Sequence, residues 1–390
     1  MMRTPRALIL FSLLLPATGW TQTTPTANGQ RTVSEKFICR LDPSTIEELP
    51  IFSPDNRRMA YVAKVGNKLA VVVDGKEEKS YDLIGKGSLI FSPDSRHVTY
   101  VARSGANWSV VVDGKEEKPC DGIGGPFFSP DSRRLAYAAN IGDKWAVVVD
   151  GKVEKFYDEI GEGTPIFSPD SQRVAYLAKV GAKQIAVVDG KEEKSYDGIG
   201  VIPIFSTDSR RVAYAAGVGE KQVVVVNGKE EKSYDGIGAG TLIFSPDSQR
   251  VSYVAIIGVK RVVVVDGKEE KAYKSIRVNP LFSPDSRRVA YEAEIGEKQV
   301  AVVDGKEEKF YDGFGDGSLI FSPDSRHVAY EAQDGTKQFA VVDGKEGRAY
   351  NGFLKGAKIV FDSANALHYI VVKQTIGLMG EIYLVEETID

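Results

Sequence analysis

The sequence predicts an all-β fold, a β-propeller of four-stranded antiparallel blades, and two observations support it. The phrase Phe-Ser-Pro-Asp, or a close variant, returns every 37 to 40 residues, a period typical of solenoids, propellers and repeat arrays. Each interval contains four short β-prone runs and no amphipathic helix pattern of useful length, which favours radially repeated sheets. The phenylalanines that open the nine copies are Phe52, Phe91, Phe128, Phe167, Phe205, Phe244, Phe282, Phe321 and Phe361.

These copies predict nine repeat units, which we number as blades 1 to 9 in chain order. Propellers commonly have about four to eight blades, so nine is above the usual range. An eight-bladed ring with a divergent terminal cap is the alternative. The repeats follow one another without a linker, so residues 35–390 are expected to form a single domain.

The residues before the repeats have the pattern of an export signal. Residues 1–22 contain two arginines, then a short apolar run, then small residues at a plausible cleavage point. The apolar run is too short and too interrupted to span a bilayer, so no stable membrane insertion is expected. Residues 23–34 are expected to be a flexible segment. The predicted location is periplasmic or secreted.

The unit that opens at Phe244 shows how one repeat is built. Residues 241–245 form a β-prone run that ends in a Pro-Asp-Ser turn. A second run covers residues 250–255, and a third, rich in β-branched residues, covers 261–266. A charged fourth run covers 268–273. Each unit is therefore predicted to supply four strands.

A tight hairpin is predicted between the third and fourth strands. Most copies have Asp-Gly there, as at Asp74 and Gly75, whereas blade 5 has Asn227 and Gly228. The two pairs are interchangeable in a type I′ turn, because both central residues need positive φ. The position is therefore predicted to be structural.

The predicted strands differ in character across a blade. Strands two and three are nearly continuous apolar runs, which indicates burial on both faces, as between two neighbouring blades. The fourth strand reads Lys-Glu-Glu-Lys-Ser-Tyr in several copies. Such charges suit an outer edge, where they discourage sheet-to-sheet association.

The run Phe-Ser-Pro-Asp-Ser-Arg-Arg-Val-Ala-Tyr at residues 282–291 resembles a known repeat. It is similar to the WD40-like (PD40) propeller repeat of TolB-type periplasmic proteins and of prolyl-oligopeptidase-type propeller domains. The resemblance is close from Phe52 to about Tyr350 and loose in the final unit. It implies a strand order from axis to rim and a secreted or periplasmic setting. It implies no single activity, because one fold hosts many functions.

The last unit is predicted to lack its charged fourth strand. It offers β-prone runs at residues 358–361, 367–372 and 381–385 and then stops. A leftover β-prone piece, residues 36–40, precedes the first unit. The sequence therefore predicts that this N-terminal strand completes the last blade and closes the ring.

The two cysteines are predicted to be unpaired. Cys39 precedes the first repeat, and Cys120 replaces a tyrosine that most other copies have. In a closed ring the two positions lie two blades apart, whereas a disulfide needs Cα atoms within about 7 Å.

Several motifs that imitate catalytic or ligand sites are assigned to structure. Each Pro-Asp aspartate, such as Asp55, is expected to bond its own turn. Glycine clusters such as residues 236–240 are followed by a strand, whereas a phosphate loop needs a helix N-terminus. The three histidines are dispersed, and no Gly-x-Ser-x-Gly elbow exists. Basic and acidic residues are interspersed, which argues against nucleic-acid binding.

The variable positions between copies are the better functional signal. Two kinds of turn barely vary and are predicted to lie on one face of the ring, and the loops that vary lie on the opposite face. We refer to the latter as the variable face. On it, the sequence predicts a binding patch with two tryptophans on blades 2 and 3 and mixed charges on blades 6 to 8. The candidate binding residues are Trp108, Trp145, Arg261, Arg277, Glu292 and Glu331.

The predicted function is that of an exported, non-catalytic binding module. The expected partner is a protein or a cell-envelope glycan, since aromatic and arginine side chains dominate interfaces and tryptophans stack on sugars. A monomer without cofactor or metal is expected. The alternatives are an enzyme with its site at the axial channel mouth, such as a lyase- or lactonase-like propeller, and a purely structural module.

Overall fold

The computed structural model describes residues 23–25, 32–34, 37, 43–374 and 380–389. The predicted signal peptide, Cys39 and all of the predicted closing strand except Phe37 lie outside these residues. Two short strands, Thr23–Pro25 and Thr32–Ser34, pair antiparallel with each other. A 3-10 helix, Pro43–Thr45, leads into the repeats.

The protein is all-β, with nine antiparallel sheets in chain order that correspond to the nine predicted blades. The first strands are Ile46–Phe52, Leu83–Ile84 with Ile90–Phe91, Gly122–Ile123 with Phe127–Phe128, Glu159–Ile160 with Ile166–Phe167, Gly198–Phe205, Gly236–Ile237 with Ile243–Phe244, Ser275–Phe282, Gly313–Phe314 with Ile320–Phe321, and Gly352–Phe353 with Val360–Phe361. The second strands are Met59–Val65, Val98–Ser104, Leu135–Ile141, Val174–Val180, Val212–Val218, Val251–Ile257, Val289–Ile295, Val328–Asp334 and Ala366–Gln374. The third strands are Lys68–Val73, Asn107–Val112, Lys144–Val149, Lys183–Val188, Lys221–Val226, Lys260–Val265, Lys298–Val303, Lys337–Val342 and Gly380–Thr388. The fourth strands are Lys76–Tyr81, Lys115–Glu116, Lys152–Tyr157, Lys191–Tyr196, Lys229–Tyr234, Lys268–Tyr273, Lys306–Tyr311 and Lys345–Glu346.

Strand order within each blade follows the chain, from first strand to fourth. The first strand begins earlier than the sequence indicated. In blade 6, for example, Gly236–Ile237 pairs with the second strand ahead of Ile243–Phe244, so the glycine cluster is part of the sheet. A strand therefore occupies the place where a phosphate loop would need a helix, as predicted.

The type I′ hairpin prediction is confirmed by the backbone. Asp74 and Gly75 have φ values of 51° and 81°. Asn227 and Gly228 have 50° and 73°. Aspartate and asparagine thus adopt the same left-handed backbone conformation at this position. The substitution in blade 5 leaves the φ angles of the turn nearly unchanged.

The repeated Pro-Asp aspartates hold their own turns, as predicted. Asp55 Oδ1 accepts hydrogen bonds from Ser53 Oγ at 2.6 Å and from the Arg57 backbone N at 3.1 Å. The Ser53 bond is the main cause that lowers the pKa of Asp55. The same turn also reaches the next blade, because the Asp55 backbone N donates to Ser95 Oγ at 3.1 Å.

Buried apolar clusters join consecutive blades across all eight interfaces between them. Strands two and three supply most of these residues and are buried on both faces, as their continuous apolar runs predicted. Between blades 1 and 2, for example, Val62 and Val71 pack with Tyr100 and Val111.

Polar and aromatic contacts also join neighbouring blades at the edges of these interfaces. The interface between blades 4 and 5 is an example. Arg173 Nη1 donates to the backbone oxygens of Ser209 and Arg210 at 3.0 and 2.9 Å. The guanidinium carbon of Arg173 lies 5.3 Å from the ring centroid of Phe205. We call this set of contacts the arginine clamp.

At the outer edge of the same interface, two further contacts recur. Tyr196 and Tyr214 pack edge to face with ring centroids 6.1 Å apart, and the Tyr214 hydroxyl donates to Glu193 at 2.7 Å. Lys194 pairs with Glu230 of the next blade at 2.7 Å. We call these contacts the tyrosine pair and the rim ion pair.

The two ends of the array differ from its interior. Blade 9 has three strand positions among the described residues, and its outer strand carries Ile382 and Leu384 at 62% and 61% exposure. At the other end, the Phe52 side chain is 61% exposed. Closure of the ring by the N-terminal strand stays a prediction.

Candidate binding face

Side-chain bonds place the turns of each blade on two opposite faces, as predicted. At one end, Arg58 Nε donates to Asp74 Oδ2 at 2.8 Å, which ties the turn after the first strand to the hairpin after the third. At the other end, the Gly105 backbone N donates to Asp82 Oδ2 at 2.7 Å. That bond ties the loop after the second strand to the connection after the fourth. The first end is the constant face and the second is the variable face.

The residue that opens the third strand lies at the variable face and contacts the next blade. Where it is glutamine, its side-chain oxygen accepts a hydrogen bond from a backbone N of the following first strand. Gln184 accepts from Ile199 at 2.6 Å, and Gln222 accepts from Ile237 at 2.6 Å. The remaining glutamines of this type are Gln299 and Gln338.

Sequence reasoning missed this role of glutamine, although recurrence of one acceptor residue in one column was the available signal. Leucine, tryptophan and arginine side chains have no acceptor at their ends, so they cannot make this bond. The residues at this position in the other four of the first eight blades are Leu69, Trp108, Trp145 and Arg261. Each of these four residues marks an interface at which the glutamine hydrogen bond to the next blade is not made.

Trp145 lines a cavity of about 280 Å³ between blades 3 and 4. Its ring is half-buried and packs against Gly122, where an added Cβ would lie 3.7 Å from the ring. Glu159 and Glu162 border the cavity and are exposed. The other lining residues are Gly124, Gly125, Phe127, Ala138, Ile160, Gly161, Gly163 and Thr164.

The composition of this cavity is suited to a ligand that stacks and hydrogen-bonds. Four glycines leave parts of the wall without side chains, while Trp145 supplies an aromatic surface. Glu159 forms an ion pair with Lys179 at 2.9 Å, so its carboxylate is oriented and partly neutralised. The site therefore combines an apolar platform with oriented polar groups, the usual make-up of a small-ligand pocket.

Trp108 differs from Trp145 in its surroundings. The Arg103 guanidinium lies 5.5 Å from the Trp108 ring centroid, so it covers the half-buried ring. The Trp108 backbone pairs with Cys120, with N to O distances of 2.8 and 2.9 Å. Trp108 is therefore less accessible for stacking than Trp145, although both lie at the same position in their blades.

The predicted charged residues of blades 6 and 7 form a separate group. Arg261 is exposed, and its Nη1 lies 3.5 Å from Ser275 Oγ. Arg277 is also exposed and interacts electrostatically with Glu292 and Glu294. The structure thus places Arg277 near Glu292 and Glu294, and it places all of these residues on blades separate from the two tryptophans.

Glu292 lies inside the molecule, with 2% of its surface exposed. Its Oε1 has no hydrogen-bond partner among the described residues. Burial raises the pKa of Glu292 to about 7, while Arg277 opposes the shift and Asp316 adds to it. Glu331 in blade 8 is half-buried, and burial raises its pKa too. The two glutamates are thus packed residues, in contrast to the exposed arginines.

The constant face holds larger clefts, but repeated scaffold residues form them. Two clefts of about 530 and 560 Å³ lie beside the fourth strands of blades 1 and 5. Each is lined by the clamp arginine, Arg58 or Arg211, and by the Lys-Glu-Glu-Lys run of the fourth strand. The Trp145 cavity is smaller, but the combination of Trp145, Glu159 and Glu162 occurs at one interface only of the first eight blades.

The histidines are engaged in pairs with aspartates. His97 Nδ1 lies 2.7 Å from Asp113, and His327 Nδ1 lies 2.6 Å from Asp343. Within the described residues, no group of three or more His, Cys, Asp or Glu side chains is arranged to hold a metal ion. Cys120 is a buried free thiol, as predicted.

Comparison with known proteins gives likenesses of fold. No family model and no curated protein matches the sequence. A eukaryotic initiation factor structure matches with 12% identity and a TM-score of 0.42, over 82% of this chain and 91% of that one. The propeller domain of the Trilobed protease from Pyrococcus furiosus matches with 16% identity and a TM-score of 0.31, over 68% and 94%. TolB from Acinetobacter baumannii matches with 15% identity and a TM-score of 0.28, over 64% and 77%.

The described part of the chain contains no helix with the length and apolar character needed to cross a membrane.

Proposed function

We propose that this propeller is an exported binding module whose variable face binds a cell-envelope glycan without chemical change. The observation that carries the proposal is the Trp145 cavity, with its aromatic platform, glycine-lined wall and bordering carboxylates. A volume of about 280 Å³ suits one ring of a sugar chain entering from the surface. The export pattern of residues 1–22 supports a location where such glycans occur.

The non-catalytic part of the proposal is supported by how the polar groups at the site are used. Glu159 is held by Lys179, and the histidines His97 and His327 are paired on the constant face, away from the cavity. Hydrolysis of a sugar chain by the usual route needs two carboxyl groups free to act on one bond, and of the two at this cavity, Glu159 and Glu162, the first is ion-paired with Lys179. We therefore expect the bound glycan to be released intact.

A protein partner is the second candidate, and the exposed arginines favour it. Arg261 and Arg277 are exposed on the consecutive blades 6 and 7, and arginine is enriched among residues that dominate protein interfaces. In this case the binding surface would lie over these two blades, with little involvement of Trp145.

The test is binding of soluble peptidoglycan fragments and N-acetylglucosamine oligomers, measured by calorimetry on the exported chain. Trp145→Ala is expected to weaken binding ~30-fold or more, since loss of an anchor residue commonly costs about 2 kcal/mol. The matched control is Leu69→Ala, which truncates the same strand position in blade 1. Trp108→Ala is expected to have the smaller effect, because Arg103 covers its ring.

If Trp145→Ala and Trp108→Ala together leave the affinity unchanged in a folded protein, the glycan proposal is wrong. Binding that is lost with Arg261→Ala and Arg277→Ala, and kept without Trp145, would establish the second candidate. Shortened oligomers after incubation would favour the alternative that the sequence left open, an enzyme with its active site at the axial channel mouth.

A further inference from the structure

One of the eight blade interfaces lacks the contacts that reinforce its neighbours. Six interfaces, between blades 1 and 2 and from blades 3 and 4 to blades 7 and 8, have the complete arginine clamp, rim ion pair and tyrosine pair. The clamp arginines are Arg58, Arg134, Arg173, Arg211, Arg250 and Arg288. The interface between blades 2 and 3 has none of the three.

The arginine clamp is missing there because His97 takes the arginine position. The His97 ring keeps the bond within its own blade, to Asp113 at 2.7 Å. An imidazole is shorter than an arginine side chain, and with Nδ1 bonded to Asp113 only its Nε2 is left for another partner. Its ring lies 6.5 Å from the Phe128 ring and, within residues 43–374, makes no hydrogen bond to that blade.

The rim ion pair is missing because Val153 takes the place of the glutamate. Blade 2 still carries the lysine, Lys118, and at the next interface Lys155 pairs with Glu192 at 2.6 Å. Valine offers no charge to Lys118. Pro119 follows this lysine, and the fourth strand of blade 2 has two residues, Lys115–Glu116, whereas that of blade 1 has six.

The tyrosine pair is missing because Cys120 replaces the fourth-strand tyrosine. The partner ring, Tyr137, is present and buried, but its hydroxyl makes no hydrogen bond to Glu117 among the described residues. In the next interface Tyr176 packs against Tyr157 at 6.1 Å and donates to Glu154 at 2.8 Å. The change thus removes both an aromatic contact and a hydrogen bond to a carboxylate.

Some contacts remain at this interface. The Asp94 backbone N donates to Ser132 Oγ at 2.9 Å, as at the other turns. A cluster of five buried residues remains, Val110, Cys120, Tyr137, Ala139 and Val148. The interface between blades 1 and 2 buries ten such residues. The terminal interface between blades 8 and 9 has His327 at the clamp position but keeps the Tyr350 and Tyr369 pair.

We propose that the interface between blades 2 and 3 is an opening seam, at which two blades separate while their neighbours stay packed. Local opening has a free energy set by the contacts that it breaks, so it concentrates where these contacts are fewest. At this interface all three kinds of contact are absent, and four substitutions in two adjacent blades accompany the loss. The seam also lies between Trp108 and Trp145, so its opening changes the spacing of the two tryptophans.

The inference does not depend on which ligand the variable face binds. It requires only that the seam opens more often than the other interfaces. Cys120 is a natural reporter of this opening, because its thiol is buried in the closed seam with 7% exposure. Burial also raises the pKa of this thiol, so labelling in the closed state is slow.

The first experiment measures the rate of Cys120 labelling by a water-soluble disulfide reagent in a Cys39→Ser chain. The matched control is Tyr196→Cys in a chain with Cys39→Ser and Cys120→Tyr. This control places a thiol at the same blade position, but at an interface that keeps Arg173 and the Lys194–Glu230 pair. Cys120 is expected to react at least about tenfold faster than the thiol at position 196.

The second experiment restores the missing contacts without touching the reporter. His97→Arg with Val153→Glu introduces the clamp arginine and the rim glutamate opposite Phe128 and Lys118. Labelling of Cys120 is expected to slow by about tenfold. Equal rates for the two thiols, or no slowing after restoration, would overturn the proposal.

Hydrogen exchange on the unsubstituted chain provides a readout that needs no variant. Amides of strands Asn107–Val112 and Leu135–Ile141 are expected to exchange faster than those of Lys221–Val226 and Val251–Ile257. The compared pairs lie in equivalent positions of the two interfaces. Uniform protection across these four strands would contradict the seam.

Discussion

A single side chain can change an interface of this repeat, and Glu292 is an example. In blades 1 to 6 the same position holds an apolar residue, such as Val101 or Val254, packed in the core. In blade 7 a carboxyl occupies this space, with one oxygen unpaired among the described residues. A buried carboxylate is disfavoured relative to its neutral form, and this is the main reason that its pKa rises to about 7.

This shift predicts a pH-dependent stability. In the unfolded chain Glu292 ionises near 4.5, and in the folded protein near 7. Between these values the folded state holds a proton that the unfolded state has lost, so the contribution of Glu292 to stability is greatest below about pH 4.5 and is lost as the pH rises through 7. The free energy of unfolding is expected to fall by up to about 3 kcal/mol over this range, because a shift of one pKa unit corresponds to about 1.4 kcal/mol.

The measurement compares the free energy of unfolding of the unsubstituted chain and Glu292→Gln between pH 4 and pH 9. The advantage of the glutamine variant is expected to grow with pH and to level off above about pH 8. Glu331→Gln is the control. Its effect on the free energy of unfolding is expected to have the same sign but to be smaller, because Glu331 is half-buried. A difference that is constant across this range would refute the role of Glu292.

At the scale of single elements, the third strand joins each blade to the next one. Gln222 opens the third strand of blade 5, and its side-chain oxygen accepts from the Ile237 backbone N in the first strand of blade 6. In the next blade Arg261 occupies this position and has no acceptor to offer. The same strand geometry is thus compatible with an interblade hydrogen bond or with an exposed, variable side chain.

Gln222→Ala is expected to lower the free energy of unfolding by about 1 kcal/mol, since it removes a hydrogen bond to a backbone N. The matched control, Arg261→Ala, is expected to stay within about 0.5 kcal/mol of the unsubstituted chain. Urea unfolding followed by tyrosine fluorescence measures both changes. Equal effects of the two substitutions would show that the glutamine bond adds nothing.

At the scale of the whole molecule, the ends of the repeat array determine whether the ring closes. The outer strand of blade 9, Gly380–Thr388, pairs with Ala366–Gln374 on one side. Its Ile382 and Leu384 side chains are largely exposed. No strand among the described residues pairs with its other edge, and an edge with apolar residues favours pairing with another strand. Residues 36–40 are a β-prone segment of the same chain.

Closure predicts that Cys39 can be linked to this edge. In a Cys120→Ser chain, cysteines placed singly from Glu381 to Glu387 are expected to form a disulfide with Cys39 at one or two positions. Only those positions would bring the two Cα atoms within about 7 Å. Non-reducing electrophoresis and peptide mapping detect the bond. If no position in this stretch forms the disulfide, the N-terminal strand does not complete blade 9.

The sequence predicted the fold well because each strand and turn pattern occurs in many copies of the repeat. Period, turn residues and apolar runs identified four strands per unit, the type I′ hairpins and the two faces. The site was harder to predict. Trp108 and Trp145 look equivalent in the sequence, yet Arg103 covers one ring and a cavity adjoins the other. Glu292 was expected at the variable surface and is buried.

By itself, therefore, the sequence determined what depends on neighbours along the chain: strands, turns, the number of units and the free thiol at Cys120. Contacts between blades were decided only in three dimensions, because their partners lie 15 to 40 residues apart and belong to different units. The Gln222 bond, the Trp145 cavity and the loss of three contacts between blades 2 and 3 are of this kind. Each of these features depends on the residue that the next blade places opposite it. The sequence of one repeat alone does not contain that information.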